Sequence, residues 1–356
     1  MECGLIGPPL SGKSTLFDLL TGVAAPPPGG ERRTRRGVVK LADQRLATLA
    51  SLIGSPKVTP ATVDYVDVPG IGGEEKRQPY PANYLAEFRG ADLLALVIRQ
   101  FANPAVPHPL GNADPRRDLA DTLLEFLVSD LATIEKRRQR LAKQHDPASQ
   151  SEDVVLAKCE QILNGGQPLR ELDFPADEAR LMRTFGFLSY KPLLVVANTD
   201  EDSVKEPNRV LQPLTSLLSS GKRTACTLVA VGMEAEINRL DEADRAAFLA
   251  DLGLEQPAAE RMIRATFELL GLITFFTANE REARAWAVPA GSTALAAAGA
   301  VHADLARGFI RAEVCGWNEL VEAGSLAKLK ESGKLRLEGK EYVVSDGDLL
   351  NIKFHV

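Results

Sequence analysis

Residues 1–22, MECGLIGPPLSGKSTLFDLLTG, decide the fold of this chain. Within them, residues 7–15 match the pattern G-x-x-x-x-G-K-[ST], in which glycines let backbone N–H groups surround phosphate oxygens. The apolar run Cys3–Ile6 predicts a strand before the match, and residues 14–20 predict a helix after it. A phosphate would then lie at a helix N-terminus, where free N–H groups and the helix dipole favour anions. The stretch therefore predicts a phosphate-binding loop.

The chemistry of this loop requires a cation and a metal-binding hydroxyl. Lys13 would reach the β- and γ-phosphates of a nucleotide, and the Ser14 hydroxyl would bind Mg²⁺. Nucleotide contacts are expected from the whole loop: Gly7, Pro8, Pro9, Leu10, Ser11, Gly12, Lys13, Ser14 and Thr15.

A second segment supports this assignment. Residues 62–70, TVDYVDVPG, read as a strand that ends in D-x-x-G. Asp67 would complete the protein side of the magnesium shell, and the Gly70 N–H would sense the γ-phosphate. Mg²⁺ is therefore the expected cofactor, with Ser14 and Asp67 as its protein ligands.

The nucleotide base is expected to meet two further loops. Asn198-Thr-Asp-Glu201 follows an apolar strand, at the place where guanine-specific proteins of this fold carry N-K-x-D. Threonine at position 199 and Glu201 at the fourth position weaken the case for guanine, and a simple polar turn is the alternative. After the predicted strand 227–231, Gly232 and Met233 are expected to close over the base.

The remaining chain predicts an α/β fold, a doubly wound P-loop NTPase domain with two additions. Heptad-spaced apolar residues, Leu124 among them, and a turn at 145–149 predict an inserted α-helical hairpin. Strands are expected at 284–288, 340–344 and 349–354 in a small C-terminal domain. The predicted domains are residues 1–112 with 190–272 for nucleotide binding, 113–189 for the hairpin, and 273–356 for the C-terminal domain.

Composition excludes several functional classes. The 356 residues are 45% hydrophobic and 25% charged, with a net charge of −6, which argues against a protein that coats nucleic acid over its whole surface. Four cysteines without paired spacing indicate neither a disulfide framework nor a zinc site. No apolar stretch reaches the roughly 18 residues of a membrane span, and no leader pattern is present. We therefore expect a cytoplasmic protein without membrane or DNA partners.

Two basic groups interrupt the acidic balance. In the hairpin these are Lys136, Arg137, Arg138, Arg140 and Lys143. In the C-terminal domain they are Arg307, Arg311, Lys328, Lys330, Lys334, Arg336 and Lys340. Such groups favour contacts with a phosphate backbone, whereas a solvated helix face is the alternative for the hairpin group.

The order of phosphate loop, D-x-x-G, hairpin, N-x-x-E and C-terminal domain resembles the YchF-type, Obg-like ATPases of the translation-factor class. The C-terminal domain is similar to that family's β-grasp-like TGS domain in segments 285–291, 302–304, 308–312, 333–340 and 346–348. The resemblance implies ATP preferred over GTP, weak hydrolysis, and association with the ribosome or another RNA–protein assembly. A GTPase of the same fold and a nucleotide-dependent binding module without turnover are the alternatives.

The first switch departs from the family pattern. The family carries a threonine and an I-E-P-N-like run there, whereas residues 31–36 of this chain read ERRTRR. Thr34 is the nearest threonine, in a different register. Slow or impaired hydrolysis is therefore expected.

A catalytic residue is implied by the same resemblance. Ile71 follows D-x-x-G, and its apolar side chain cannot orient a water molecule as glutamine does in related proteins. The family carries a histidine after an R-x-F-x-N run, and His108 follows the matching residues 99–103. Imidazole can orient or deprotonate water near neutral pH. A solvated loop histidine is the alternative.

Overall fold

A computed structural model of the chain describes residues 1–23, 33–69, 80–144, 146–218, 221, 223–251, 254 and 256–355. The strands in these ranges are β1 (Glu2–Ile6), β2 (Arg35–Lys40), β3 (Lys57–Thr59), β4 (Thr62–Asp67), β5 (Leu93–Arg99), β6 (Leu193–Asn198), β7 (Thr224–Val229), β8 (Leu272–Ala278), β9 (Glu282–Pro289), β10 (Phe309–Gly316), β11 (Arg336–Glu338) and β12 (Asp348–Phe354).

The α-helices in the same ranges are α1 (Lys13–Thr21), α2 (Gln44–Ile53), α3 (Ala82–Ala86), α4 (Pro115–Leu141), α5 (Pro147–Asn164), α6 (Ala176–Phe185), α7 (Glu201–Val204), α8 (Pro207–Thr215), α9 (Val231–Ile237), α10 (Glu242–Asp251), α11 (Ala258–Leu269), α12 (Ala294–Val301), α13 (Ala303–Arg307), α14 (Trp317–Ala323) and α15 (Leu326–Glu331). Among the described helices, none has the length and apolar character that crossing a membrane requires.

The chain divides into two compact units. The first contains Met1–Val39 and Asp64–Leu269, and the second contains Lys40–Val63 and Leu270–Val356. Residues 40–63 thus join the second unit, whereas the sequence-based boundaries placed them with the nucleotide-binding domain. The reason is long-range pairing, because β3 runs parallel to β9 and the Ser55 hydroxyl donates to the Asn279 carbonyl at 2.6 Å. The hairpin residues belong to the first unit.

The first unit is built on a sheet with the order β2-β4-β1-β5-β6-β7, and the neighbours from β4 to β7 are parallel. Every residue of β5 and β6 is buried, as expected of parallel strands covered on both faces. This sheet confirms the predicted doubly wound α/β fold.

Parallel pairing brings the carboxyl ends of these strands to one edge. Asp67 at the end of β4 pairs in register with Leu5 of β1, and Asn198 at the end of β6 lies between Arg99 and Val229. In folds of this kind ligands bind at this edge, because the loops that follow the strands meet there.

The hairpin consists of α4 and α5, both started by aspartate caps. The Asp114 carboxylate accepts from the first-turn N–H groups of α4, and Asp146 does the same for α5. The hairpin core includes Ile134 and Leu156, both fully buried. Leu124 is instead 58% exposed, because the first turns of α4 pack against the parallel sheet through Leu119 and Phe126, which turns the apolar face away from position 124.

The second unit contains a mixed sheet with the order β11-β10-β12-β8-β9-β3. The predicted strands at 284–288 and 349–354 are present within β9 and β12. The predicted strand at 340–344 is wrong, since only Val343 forms an isolated bridge. The carbonyls of Lys340 and Tyr342 accept instead from the N–H groups of Leu295 and Ala294, and so satisfy the first turn of α12.

Candidate functional site

The phosphate loop occupies residues 7–12, between β1 and α1, as the sequence predicts. Gly7 lies so close to β5 that a Cβ atom there would come within 2.5 Å of the Val97 carbonyl oxygen. Gly12, at the start of α1, has φ +91°, and no side chain caps this helix. An uncapped helix N-terminus beside tightly packed glycines is a binding site for anions.

Lys13 reaches out of α1 to the end of β4. Its Nζ donates to Asp67 Oδ1 at 2.7 Å and to the Val68 carbonyl, and the side chain is 7% exposed. Burial lowers the pKa of the Lys13 amine, and the neighbouring Asp67 carboxylate opposes that shift. The structure thus brings together the predicted phosphate-binding cation and the predicted magnesium ligand.

Arg35 of β2 is a site residue that the sequence analysis missed. Its Nη2 donates to Asp67 Oδ2 at 2.7 Å and to the Ser14 carbonyl at 3.3 Å, and its Nη1 donates to Asp18. The guanidinium lies 4.6 Å from the centre of the Phe17 ring. The arginines of the run ERRTRR are visible in the sequence. Which of them reaches Asp67 depends on how β2 lies beside β4, and composition does not give this.

The two predicted magnesium ligands belong to residues that share one neighbour, because Arg35 contacts both the Ser14 carbonyl and the Asp67 carboxylate. Ser14 is exposed on the first turn of α1, and the Asp67 carboxylate stands at the end of β4. Hydroxyl and carboxylate oxygens are the hard donors that Mg²⁺ prefers, with nucleotide phosphates and water completing its shell. The residues therefore fit this metal.

Asn198 connects the phosphate loop to the segment after β7. Its Nδ2 donates to the Ser11 carbonyl at 2.9 Å, and its Oδ1 accepts from the Val231 N–H at 3.3 Å. Val231 begins α9, and the next two residues are Gly232 and Met233, which the sequence assigned to the base. The buried Asn198 amide therefore holds two parts of the predicted site in one arrangement.

The rest of the base-reading segment begins α7. Asp200 caps this helix by accepting from the Ser203 N–H at 3.0 Å, and Glu201 follows, exposed, as its first residue. The Thr199 hydroxyl is buried and finds no hydrogen-bond partner within the described part of the chain. A buried hydroxyl without a partner is costly, so this group is suited to a polar ligand atom.

His108 is buried and fully hydrogen-bonded rather than solvated. Its Nδ1 accepts from the Leu110 N–H at 3.2 Å, so the proton lies on Nε2, which donates to Asp118 Oδ2 at 3.0 Å. Neither partner belongs to the phosphate loop. Gly70 and Ile71, the other residues predicted to concern the γ-phosphate and water, lie outside the described residues.

The hairpin's basic group separates into two sets. Arg137 donates to both carboxylate oxygens of Glu152, and Arg138 pairs with Asp153 at 2.8 Å and with Glu160, so these two arginines join α4 to α5. The other three side chains are exposed at spacings of four and three residues, on one face of the helix and its continuation: Lys136, Arg140 and Lys143.

In the second unit the predicted basic residues divide in the same way. Ion pairs engage Arg307 with Asp304, Lys334 with Glu322, and Arg336 with Asp348. The other four predicted basic residues of this unit are exposed: Arg311, Lys328, Lys330 and Lys340.

The strand–loop–helix geometry, the Lys13–Asp67 pair and the sheet edge define a P-loop nucleotide-binding protein. A family model described as "50S ribosome-binding GTPase" matches residues 2–136, and YchF-GTPase_C, described as "Protein of unknown function (DUF933)", matches residues 272–355. The chain is 35% identical to "Ribosome-binding ATPase YchF" of Bacillus subtilis (strain 168) over 100% of both chains. It is 37% identical to the protein of that name from Escherichia coli O157:H7, over 100% of this chain and 99% of the relative. The chain belongs to the YchF family.

Solved structures show the same fold. The Schizosaccharomyces pombe YchF GTPase superposes with a TM-score of 0.84 at 24% identity, covering 99% of this chain and 97% of that one. A GTP binding protein from Pyrococcus horikoshii OT3 superposes with a TM-score of 0.62 at 18% identity, with complete coverage of both chains.

Replacement of Gly12 by alanine tests the link between the phosphate loop and Asn198. A Cβ atom at this position would lie 2.2 Å from Asn198 Nδ2, in a backbone conformation that L-residues rarely adopt. We expect Gly12→Ala to weaken binding of a fluorescent nucleotide at least tenfold and to lower the free energy of unfolding by about 2–4 kcal/mol.

The matched control is Gly22→Ala. Gly22 has φ +68°, but a Cβ atom there would meet nothing within 4 Å, so only the backbone strain of about 1–2 kcal/mol remains. Its nucleotide affinity should equal that of the wild type. Equal losses of affinity in the two variants would contradict a specific role for the Gly12–Asn198 approach.

Proposed function

We propose that this protein is a Mg²⁺-dependent nucleoside triphosphatase that prefers ATP over GTP, hydrolyses it slowly, and acts as a switch on a ribosomal particle in the cytoplasm. The observation that carries the proposal is the buried Lys13–Asp67 pair beside the uncapped N-terminus of α1. The name "Ribosome-binding ATPase YchF", carried by full-length relatives, supports both the reaction and the partner.

In the proposed reaction the chain's own residues bind and orient the triphosphate. The N–H groups of the phosphate loop and of the first turn of α1 hold the phosphate oxygens, and Lys13 moves its donors from Asp67 to the β- and γ-phosphates. Ser14 and Asp67 would hold magnesium, which supplies positive charge to the phosphates when bound. Thr199, Gly232 and Met233 would contact the base.

Two observations favour the alternative of a nucleotide-dependent binding module without turnover. Both ring nitrogens of His108 are engaged within the protein, and Arg35 holds the Asp67 carboxylate. Single-turnover measurements separate the two functions, since a pure binding module retains bound ATP unchanged.

Base preference should follow from the segment after β6. Within Asn198–Glu201 the aspartate, Asp200, is used as a helix cap and the fourth position carries Glu201, so a guanine base would lack the fixed acceptor for its N1–H and amino groups. We expect the dissociation constant for GTP to exceed that for ATP by about tenfold, since an unpaired polar edge costs about 1–3 kcal/mol. Titration of the purified protein with labelled ATP and GTP at fixed Mg²⁺ measures this ratio.

Glu201→Asp is the informative variant, because it places the aspartate of N-x-x-D at the fourth position; the ratio of the GTP to the ATP dissociation constant should fall. Asp202→Asn, one residue further along α7 and also exposed, is the control and should leave the ratio unchanged. Equal or tighter binding of GTP by the wild-type protein would refute the preference.

We further infer that the His108 side chain first breaks its hydrogen bond to Asp118 and then orients the attacking water. His108→Ala should slow single-turnover ATP hydrolysis at least tenfold while changing ATP affinity by less than about threefold, the pattern of a group that acts mainly in the transition state. Asp118→Asn keeps the side-chain shape but weakens the restraint on Nε2, so it should hydrolyse ATP at the wild-type rate or faster. A wild-type rate in His108→Ala would leave the residue a structural role only.

Ribosome association should depend on the exposed basic face of the hairpin. The triple variant Lys136→Glu, Arg140→Glu, Lys143→Glu should lose co-sedimentation with ribosomal particles at physiological salt. For the wild type, each phosphate contact should add about 0.7–0.9 to the slope of log K against log salt.

Two single variants refine this test. Arg137→Glu disrupts the ion pair with Glu152, so its first effect should be on hairpin stability. Arg140→Glu should reduce sedimentation without that loss. Unchanged sedimentation of the triple variant at low and high salt would exclude the hairpin as the contact surface.

A further inference from the structure

Arg35 is fixed by four contacts around the predicted magnesium ligands. The side chain is 14% exposed, and its guanidinium meets the carboxylates of Asp67 and Asp18, the Ser14 carbonyl and the face of Phe17. Three of these partners lie on α1 and one at the end of β4. Arg35 therefore bridges the two elements that would hold the metal.

Both oxygens of Asp67 are consequently engaged by cations. Oδ1 accepts from Lys13 and Oδ2 accepts from Arg35, each at 2.7 Å. Charge-assisted hydrogen bonds of this length are roughly twice as strong as neutral ones. A magnesium ion that uses Asp67 must displace one of these donors or share its oxygen with a positive charge. Lys13 has a second proposed function at the phosphates, whereas the described polar partners of Arg35 all lie on α1 and at the end of β4.

We propose that Arg35 is a built-in cation that holds Asp67 and competes with Mg²⁺ for it. In this way Arg35 sets the Mg²⁺ concentration at which nucleotide binds tightly. The inference rests on the proposed nucleotide function and adds to it a residue that determines the metal requirement.

The neighbouring residue, Arg36, carries the same charge but contacts a different partner. Arg36 is the next residue of β2, is 64% exposed, and pairs with Glu2, away from Asp67. Removing Arg36 changes the net charge by the same amount as removing Arg35. Arg36→Ala is therefore a matched control for the electrostatic field of the chain.

A role in binding phosphate would have the opposite signature. If Arg35 moved to the nucleotide, its removal would weaken ATP binding even at saturating Mg²⁺. If Arg35 competes with the metal, its removal lowers the Mg²⁺ requirement and leaves the saturated affinity within about threefold of the wild type.

The experiment measures binding of a fluorescent ATP analogue across a Mg²⁺ series from micromolar to millimolar. In Arg35→Ala the Mg²⁺ concentration at half-maximal binding should fall about tenfold, the size of one charge-assisted hydrogen bond. Arg36→Ala should keep the wild-type midpoint. Arg35→Gln, which retains polar atoms without the charge, should behave like Arg35→Ala and serves if the alanine variant folds poorly.

A second measurement does not depend on nucleotide. Without Arg35, Asp67 and Asp18 lose a neutralising partner, so MgCl₂ alone should raise the thermal midpoint of Arg35→Gln more than that of the wild type or Arg36→Ala. An unchanged Mg²⁺ midpoint, a weaker affinity at saturating Mg²⁺, or identical MgCl₂ shifts would overturn the proposal. A wild-type protein that binds neither ATP nor GTP would refute the proposed function instead, and the MgCl₂ shifts would still decide the role of Arg35.

Discussion

Lys13 and Asp67 form a buried ion pair that joins the first turn of α1 to the end of β4. Removal of one partner of such a pair leaves an uncompensated charge and costs about 3–5 kcal/mol. In the proposed function, a triphosphate with its metal would replace each partner, since the phosphates attract the amine and the metal attracts the carboxylate. The pair therefore stabilises this part of the fold with the same two groups that the proposed function assigns to the ligand, and Arg35 and Asn198 extend the arrangement by contacts to Asp67 and to the Ser11 carbonyl.

Short sequence patterns were sufficient to predict a feature when a few consecutive residues determine both its chemistry and its backbone conformation. The phosphate loop required glycines at positions 7 and 12, and the structure shows the close approach and the positive φ that explain them. The apolar strand before Asn198 was predicted correctly as β6, because parallel strands buried on both faces are apolar throughout. Asp67 and Asn198 were found because each ends a predicted strand and begins a short motif, D-x-x-G or N-x-x-E.

Features that depend on distant partners could not be predicted in this way. Arg35 is one of several arginines in its run, and it contacts Asp67 because β2 lies beside β4 in the sheet. Arg137 and Arg138 resemble a phosphate-binding surface until the acidic residues of α5 are placed opposite them. His108 was identified by resemblance, while its buried hydrogen bond to Asp118 required the position of α4.

The path of the chain also limits how the two units can be separated. The backbone passes from the first unit to the second after Val39, returns at Asp64, and passes again after Leu269. The second unit is thus a discontinuous module, part of whose sequence is spliced between two strands of the first. A chain truncated after residue 269 would keep α2, whose buried residues include Leu46 and Leu49, but lose β8 and β9, against which this helix packs. Deletion of the second unit, or its transfer to another protein, must therefore include both of its segments.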